Sequence, residues 1–445
     1  MSASTLALRA DFLHCLDDPL HHDGAVEHVP DGLLMIEDGH VAWLRPASEA
    51  RVPDGVPVVE HSGKLVVPGF VDTHVHYPQV DVIASHGTQL LDWLERYTFP
   101  AEMRFADVDH ARATAAFFLD TLLANGTTTA LVFATVHPQS VDAFFGEALA
   151  RNLRMISGKV LMDRHAPRAL LDTPDSARDE SRRLIRDWHG KGRLGYAVTP
   201  RFAPTSTPEQ LAVAGALLDE YPDVHLHTHL AENADECDWV ASLFPDAIDY
   251  LGVYERHGLV RRRSVFAHAI HLPHDAWRRL ARAEAAVAHC PTSNLFIGSG
   301  LYDLRAADAA RVRTGLGTDV GGGDSFSLLR TLNEAYKVQQ LQRHTVSPER
   351  MLYLATLGGA RTLDLEASIG NFRPGKEADL VVLDDAATPL LARRSAMART
   401  RSAASTSDRA GGWQERLFAL MMLGDERAVA ETRIMGRAVA SPADG

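Results

Sequence analysis

Residues 68–76 read PGFVDTHVH, an apolar run that closes on two histidines one residue apart, His74 and His76. In a β-strand, residues i and i+2 point to the same face, with their Cα atoms about 6.6 Å apart. Both imidazoles can therefore reach one metal ion held between them. They can equally be hydrogen-bonded, half-buried side chains with no metal, and the stretch itself leaves both interpretations open.

This stretch is the first of eight strand-like runs. The other seven are TTTALVFATV, RMISGKVLMD, LGYAVTPRF, VHLHTHLAE, SVFAHAIHL, AAVAHCPTS and RTGLGTDVGGG. Segments with helical periodicity, such as ADVDHARATAAFFLDTLLANG and TPEQLAVAGALLDEY, lie between several of them. Eight β/α alternations predict an α/β fold, a (β/α)8 TIM barrel that spans residues 68–364.

The two ends of the chain lack the alternation of strands and helices. Residues 1–67 and 365–445 contain short strand-like runs broken by turn signals such as Asp-Gly and Ser-Gly. We expect these ends to form one small, discontinuous β-sandwich domain. Within the second end, the Ala/Arg/Ser-rich residues 391–412 are interpreted as a surface loop or mobile helix without a direct function.

Composition limits the classes of partner. The 445 residues carry a net charge of −13, which argues against nucleic acid or an anionic membrane as the main partner. Three cysteines indicate a reducing compartment without a disulfide framework. The first residues lack the apolar core of a secretory signal, and no apolar run reaches the length of a membrane span. A cytoplasmic protein is the expectation.

In a TIM barrel the reactive side chains lie at the carboxyl ends of the strands. A catalytic zinc ion takes nitrogen and oxygen ligands and keeps one position open. The side chains at the predicted strand ends that meet this need are His74, His76, His229 and Asp319. Glu232 follows in a loop, where it is free to move protons, and His268 is either a further ligand or a contact of the attacking water.

Other histidines have simpler interpretations. His225 and His227 lie on the same strand face as His229 but deeper, so we expect them in the core. His289 with Cys290 has the form of a ligand pair, but nothing else in the sequence completes such a site.

Five strings resemble, in this order, the amidohydrolase superfamily of metal-dependent hydrolases: PGFVDTHVH, HTHLAE, FAHAIHL, AHCPTSN and GLGTDVGGG. The resemblance extends over essentially the whole chain, including the divided β domain. Further strings resemble the guanine deaminases within that superfamily: HYPQ, LLDWLERYTFPAE, TPRFAPT and LFALMMLGDERAVAETRIMGRAV. The resemblance implies zinc-dependent hydrolysis of guanine to xanthine and ammonia, by a homodimer.

The resemblance also implies roles for single residues. One Zn2+ per chain is implied on the four ligands named above, with Glu232, Asp319 and His268 as the catalytic residues. The implied contacts to guanine are Gln79, Arg201, Phe202, His229, Glu232 and Asp319. Two positions depart from the pattern, because Thr292 and Gly321 stand where AHCPNSN and TDVAGG are expected.

The sequence leaves alternatives open for the number of metal ions and for the substrate. Two-metal members of the superfamily need a carboxylated lysine at the end of the fourth strand, where this chain has Arg201 in TPRFAPT. Lys159 lies in the third strand and is interpreted as structural, which favours one metal. The alternatives in substrate are another purine, a pteridine or a triazine, and a non-catalytic scaffold is disfavoured because every ligand position is filled.

Overall fold

The computed structural model describes residues 5–87, 89–404 and 411–439. Strands alternate with helices through most of the chain, as the sequence predicts. The strands are β1 (Thr5–Cys15), β2 (Val26–Glu37), β3 (His40–Pro46), β4 (Val58–Pro68), β5 (Phe70–His76), β6 (Thr127–Phe133), β7 (Arg154–Gly158), β8 (Val160–Leu161), β9 (Gly195–Pro200), β10 (His225–Leu230), β11 (Ser264–His268), β12 (Ala286–His289), β13 (Arg313–Leu316), β14 (Leu380–Leu383), β15 (Val429–Ile434) and β16 (Arg437–Ala438).

Helices follow most of the barrel strands. They are α1 (Leu90–Trp93), α2 (Phe99–Met103), α3 (Val108–Ala124), α4 (Pro138–Ala150), α5 (Pro174–Trp188), α6 (Pro208–Glu220), α7 (Ala234–Leu243), α8 (Tyr250–Arg256), α9 (His274–Arg282), α10 (Pro291–Phe296), α11 (Leu304–Ala310), α12 (Leu328–Leu341), α13 (Pro348–Ala355), α14 (Leu357–Thr362), α15 (Pro389–Ala404) and α16 (Gly411–Leu423). In α3, Phe118, Leu119 and Leu122 lie on one buried face, as the helical period requires. Among the described residues, no helix is both long and apolar enough to cross a membrane.

Eight parallel strands form the barrel, in the order β5-β6-β7-β9-β10-β11-β12-β13, with the short β8 paired to β9. Hydrogen bonds between the first strand and the loop after the last strand close it. The backbone N–H of Asp319 donates to the carbonyl of His74 at 2.9 Å, and that of His76 donates to the carbonyl of Val320 at 2.8 Å. The predicted (β/α)8 barrel is confirmed, and its closure brings Asp319 beside the two histidines of β5.

A separate sheet is built from both ends of the chain. Its seven strands have the order β16-β15-β14-β4-β1-β2-β3, with β1 parallel to β4 and antiparallel to β2. Apolar side chains cover one face, where Phe12 meets Phe372 edge to face at 5.8 Å. The small β domain from both ends is confirmed and forms one continuous sheet. The division at residues 67/68 and 364/365 stays a prediction.

The apolar run before His74 serves both sheets. Residues 65–68 belong to β4, and the barrel strand begins at Phe70. A Cβ atom on Gly69 would lie 2.0 Å from Oγ1 of Thr128, so only glycine allows the chain to pass this close to the neighbouring strand. The run that the sequence presents as one strand is therefore divided at a glycine between the two domains.

The Ala/Arg/Ser-rich segment is helical where it is described. Helix α15 ends at Ala404, residues 405–410 lie outside the described residues, and α16 begins at Gly411. Leu391, Ser395 and Ala398 are buried at helical spacing, so α15 packs through one face. In residues 391–404 and 411–412, the described part of this segment, the structure has a helix and not a loop.

Candidate active site

Four side chains converge at the carboxyl ends of β5, β10 and β13. The Nε2 atom of His76 lies 3.2 Å from Nε2 of His74 and 3.2 Å from Nε2 of His229. Oδ1 of Asp319 lies 3.1 Å from Nε2 of His74 and 3.3 Å from Nε2 of His76. All ligand atoms of the four lie within 4.8 Å of one another. The structure thus brings together the four residues predicted from the sequence as metal ligands.

The chemistry of this donor set fits a divalent cation. Burial lowers the pKa of His74 and of His229, and it lowers the pKa of His76 to about 3, so all three rings are neutral at neutral pH. Neutral imidazoles and one carboxylate are ligands that zinc prefers. One cation between them would bind the lone pairs of the three ring nitrogens and a carboxylate oxygen at the same time.

A second group of possible ligands overlaps the first. His74, His268, Cys290 and Asp319 also place their ligand atoms within 4.8 Å of one another. Burial raises the pKa of Cys290 well above its ordinary value, and its Sγ donates to the carbonyl of Ala288 at 3.5 Å. A thiol that keeps its proton is a poor metal ligand, so the group with His76 and His229 is the better site.

Glu232 and His268, which the sequence also predicts to be catalytic, lie side by side. Nε2 of His268 is 3.3 Å from Oε2 of Glu232 and 3.7 Å from Oδ2 of Asp319. Nδ1 of His268 lies 2.8 Å from Oδ1 of Asn294, and Ser299 donates to Oε1 of Glu232 at 3.2 Å. Burial, together with the charge of Asp319, raises the pKa of Glu232 well above its ordinary value. A carboxyl whose pKa is raised by burial therefore faces the four predicted metal ligands.

The strand ends themselves are locally strained. Ala231, His268 and Asp319 have φ angles of 48°, 72° and 50°, in the left-handed region that residues other than glycine rarely adopt. For Asp319, the backbone bond to His74 described above holds this conformation in place. Such strain is common where the surrounding structure positions a functional side chain.

A pocket of about 410 Å³, including its open mouth, lies over the cluster. Its lining residues are His76, Gln79, Leu90, Trp93, Leu94, Arg201, Phe202, His229, Glu232, Ser293, Ile297, Asp319 and Gly322. All six predicted guanine contacts are among them, so one cavity joins the predicted substrate contacts to three of the four predicted metal ligands.

Glu102 belongs to this site, although no sequence motif assigned it a role. It is fully buried in α2, and both of its carboxylate oxygens lie 2.8 Å from Nη1 of Arg201. Nε2 of Gln79 donates to its Oε1 at 3.3 Å. Glu102 closes the string LLDWLERYTFPAE, so the resemblance marked the segment but not the contact, which joins residues 99 positions apart.

The remaining candidates lie outside the pocket lining. Nζ of Lys159 forms ion pairs with Asp172 and, at 3.4 Å, with Glu180, in agreement with a structural role. His225 is in the core, where its Nε2 donates to the carbonyl of Leu363 at 2.8 Å. His227 is also buried, and its Nε2 lies 2.7 Å from Nδ1 of His74, behind the cluster.

The two departures from the superfamily pattern have local explanations. Oγ1 of Thr292 donates to the carbonyl of Thr318 at 3.0 Å. The N–H of Gly321 donates to Oε1 of Gln79 at 3.2 Å, and a Cβ atom at this position would lie 2.6 Å from the carbonyl oxygen of Gln79. The glycine therefore lets the loop after β13 approach a predicted substrate contact.

Comparisons with known proteins agree with this geometry. The model of the amidohydrolase family matches residues 65–439. The guanine deaminase of Escherichia coli K12 is 50% identical over 438 residues, which are 97% of each chain. The crystal structure of guanine deaminase from Bradyrhizobium japonicum superposes with a TM-score of 0.94 at 38% identity, covering 98% of this chain and 99% of that one. Guanine deaminase from C. acetobutylicum, solved with guanine in its active site, has a TM-score of 0.86 at 25% identity, covering 98% of this chain and all of that one. This chain belongs to the amidohydrolase family.

Proposed function

We propose that this protein hydrolyses guanine to xanthine and ammonia with the help of one bound Zn2+. The observation that carries the proposal is one pocket whose lining includes His76, His229 and Asp319 together with Arg201 and Gln79. The relatives of Escherichia coli and Bradyrhizobium japonicum, which are named guanine deaminases, support the same substrate.

The residues that would hold the zinc ion are His74, His76, His229 and Asp319. A bound Zn2+ lowers the pKa of water to about 7 and so supplies a nucleophile at neutral pH. One metal per chain is expected because Arg201 stands where two-metal relatives need a lysine. Lys159, the lysine interpreted above as structural, is buried in ion pairs with Asp172 and Glu180.

Proton movement falls to Glu232 and Asp319. Asp319 accepts a proton from the attacking water, and Glu232 gives a proton to N3 of guanine as C2 is attacked. Glu232 then takes the proton of the new hydroxyl group on C2 and passes it to the departing amine, and the proton on Asp319 restores Glu232. A carboxyl with a raised pKa suits this role. His268, 3.3 Å from Glu232 and 3.7 Å from Asp319, orients the water between them.

Arg201, Gln79 and Phe202 orient the ring. Guanine presents two acceptors, O6 and N7, on one edge, and a guanidinium group only donates. A purine held at O6 by Arg201 turns its opposite side, with C2 and the amine, toward the metal ligands. Phe202 lines the same pocket and stacks on the ring face.

Ammonia release tests the proposal. Purified enzyme with its metal content measured is offered guanine, adenine, a pteridine and a triazine. We expect guanine to be the best substrate, adenine to be untouched, and one zinc per active chain. Faster release from another ring, or two metals per fully active chain, would overturn the corresponding part of the proposal.

We further propose that the protein is a cytoplasmic homodimer that binds neither nucleic acid nor membrane. The net charge of −13 supports the claim that it binds neither nucleic acid nor an anionic membrane. Light scattering after size-exclusion chromatography tests the homodimer, with a species of twice the chain mass as the expected result.

A further inference from the structure

Glu102 holds two of the predicted substrate contacts with one carboxylate. Its Oε1 accepts both from Nη1 of Arg201, at 2.8 Å, and from Nε2 of Gln79, at 3.3 Å. The side chains of Glu102 and Arg201 are 0% and 3% exposed, so water does not weaken the ion pair. The substrate end of the pocket is thus built around a buried acceptor that lies outside the pocket lining.

The neighbours of Gln79 decide which way its amide points. A carboxylate accepts hydrogen bonds and does not donate them, so the NH2 end of Gln79 must face Glu102. The N–H of Gly321 needs an acceptor, and it meets Oε1 of Gln79 at 3.2 Å. Both contacts require the same orientation. The group of Gln79 that contacts Oε1 of Glu102, the oxygen that also accepts from Arg201, is therefore the NH2 donor.

We infer that Glu102 determines the substrate specificity of this pocket, by holding Arg201 and the NH2 group of Gln79 together as an edge that only donates. Such an edge matches O6 and N7 of guanine and opposes a purine with an amino group at position 6. Glu102 acts through the other two residues, so it is a positioning residue. The inference rests on the proposed deamination of guanine.

The substitution Glu102→Gln tests the inference because it preserves shape and adds a donor. The new amide places its NH2 group against Arg201 or Gln79, donor to donor, so the two donors are no longer held together at the edge of the pocket. The readout is kcat/KM for guanine and for 2,6-diaminopurine, which has the same amine at C2 but an amino group in place of O6. We expect guanine to lose roughly 10- to 100-fold, mostly through KM, and the preference for guanine over 2,6-diaminopurine to narrow at least about tenfold.

Two more variants separate specificity from stability. Glu102→Asp keeps the buried charge, and with it the fold, but is one methylene too short to hold both partners. Glu102→Asp should lose less guanine activity than Glu102→Gln. It should still narrow the preference for guanine over 2,6-diaminopurine. The matched control is Asp308→Asn, which removes the charge of a carboxylate 2.6 Å from Nη2 of Arg350, away from the pocket lining. It should lower thermal stability and leave the substrate preference unchanged.

Unchanged preference in both Glu102 variants, or guanine kcat/KM within about threefold of wild type in Glu102→Gln, would overturn the inference. Metal content should equal that of the wild type throughout, and its loss in Glu102→Gln would also contradict a role through Arg201 and Gln79. A wild-type enzyme that releases no ammonia from guanine would overturn the proposed function and this inference together. If the wild type releases ammonia from guanine but the Glu102 variants keep the wild-type substrate preference, the inference is overturned and the proposed function stands.

Discussion

The ring of His229 donates a hydrogen bond from Nδ1 to the backbone carbonyl of Arg201, at 2.7 Å. A carbonyl oxygen only accepts, so Nδ1 carries the hydrogen and Nε2 of His229 keeps a free lone pair toward His76, 3.2 Å away. The backbone of Arg201 thus orients a predicted metal ligand while its side chain lines the pocket. The predicted metal site and the predicted substrate site therefore adjoin, through different atoms of one residue.

Removing one ligand should remove the metal and the activity together. His74→Ala is expected to lose zinc and guanine deamination in parallel, because three remaining ligands hold the ion much less tightly. Metal content by elemental analysis and ammonia release check this. The control His274→Ala removes an exposed imidazole at the start of α9 and should change neither. Full activity in a metal-free His74→Ala preparation would contradict the metal site.

Glu232→Gln should keep the metal and lose roughly a hundredfold or more in kcat, the usual contribution of a general acid–base group. The amide has nearly the shape of the carboxyl but cannot carry its proton. Asp235→Asn, an exposed carboxylate on the following helix turn, is the control and should be nearly silent. Loss of metal in Glu232→Gln would make this residue a ligand and not a proton carrier.

Arg201→Met should cripple guanine deamination, by roughly 30- to 1000-fold in kcat/KM, and leave metal content intact. The metal should stay because His229 bonds the backbone carbonyl of residue 201, which the substitution preserves. Steady-state kinetics and elemental analysis on the same preparation check both halves. Guanine turnover within about threefold of wild type would rule out this pocket model.

The same substitution should also destabilise the fold, since it leaves Glu102 buried without its cation. The free energy of unfolding of Arg201→Met is expected to fall by about 3 to 5 kcal/mol. Adding Glu102→Gln should recover much of that loss, because the buried charge disappears. Urea denaturation of the two single variants and the double variant measures this coupling, and additive losses would mean that the two side chains do not interact.

Acid should weaken the fold through its buried neutral histidines. Burial lowers the pKa of His225 to about 4 and of His289 to about 3, from the ordinary value of 6.5. As the pH falls below 6.5, the unfolded chain binds protons that the folded chain does not. The free energy of unfolding therefore decreases as the pH falls from 6.5 to the lower pKa values of the folded state.

His289→Leu isolates one such contribution. Neither ring nitrogen of His289 has a hydrogen-bond partner within the described part of the chain, so leucine removes the titration without breaking a bond. The slope of unfolding free energy against pH should decrease by up to about 1.4 kcal/mol per pH unit below the ordinary pKa. Urea denaturation across this range checks it, with His274→Ala as an exposed control whose slope should match the wild type.

Much of the architecture was readable from local patterns. Short strand-like runs alternate with segments of helical period, and a (β/α)8 barrel accommodates eight strands that alternate with helices. The spacing of His74 and His76 places both rings on one face by period alone. Parallel strands end at one mouth, so His229 and Asp319 were predicted to join them without any knowledge of distances.

Other features depend on contacts between distant parts of the chain. The partnership of Glu102 with Arg201 and Gln79 joins α2 to two separate strand ends, and no local period encodes it. The break at Gly69 is set by Thr128 on the neighbouring strand, and the tautomer of His229 is set by a carbonyl on β9's end. Local sequence patterns were sufficient to predict the barrel, the candidate ligands at its strand ends and the family. The orientation of the Gln79 amide depends on the tertiary structure, because a hydrogen-bond donor is oriented by whatever acceptor the fold brings beside it.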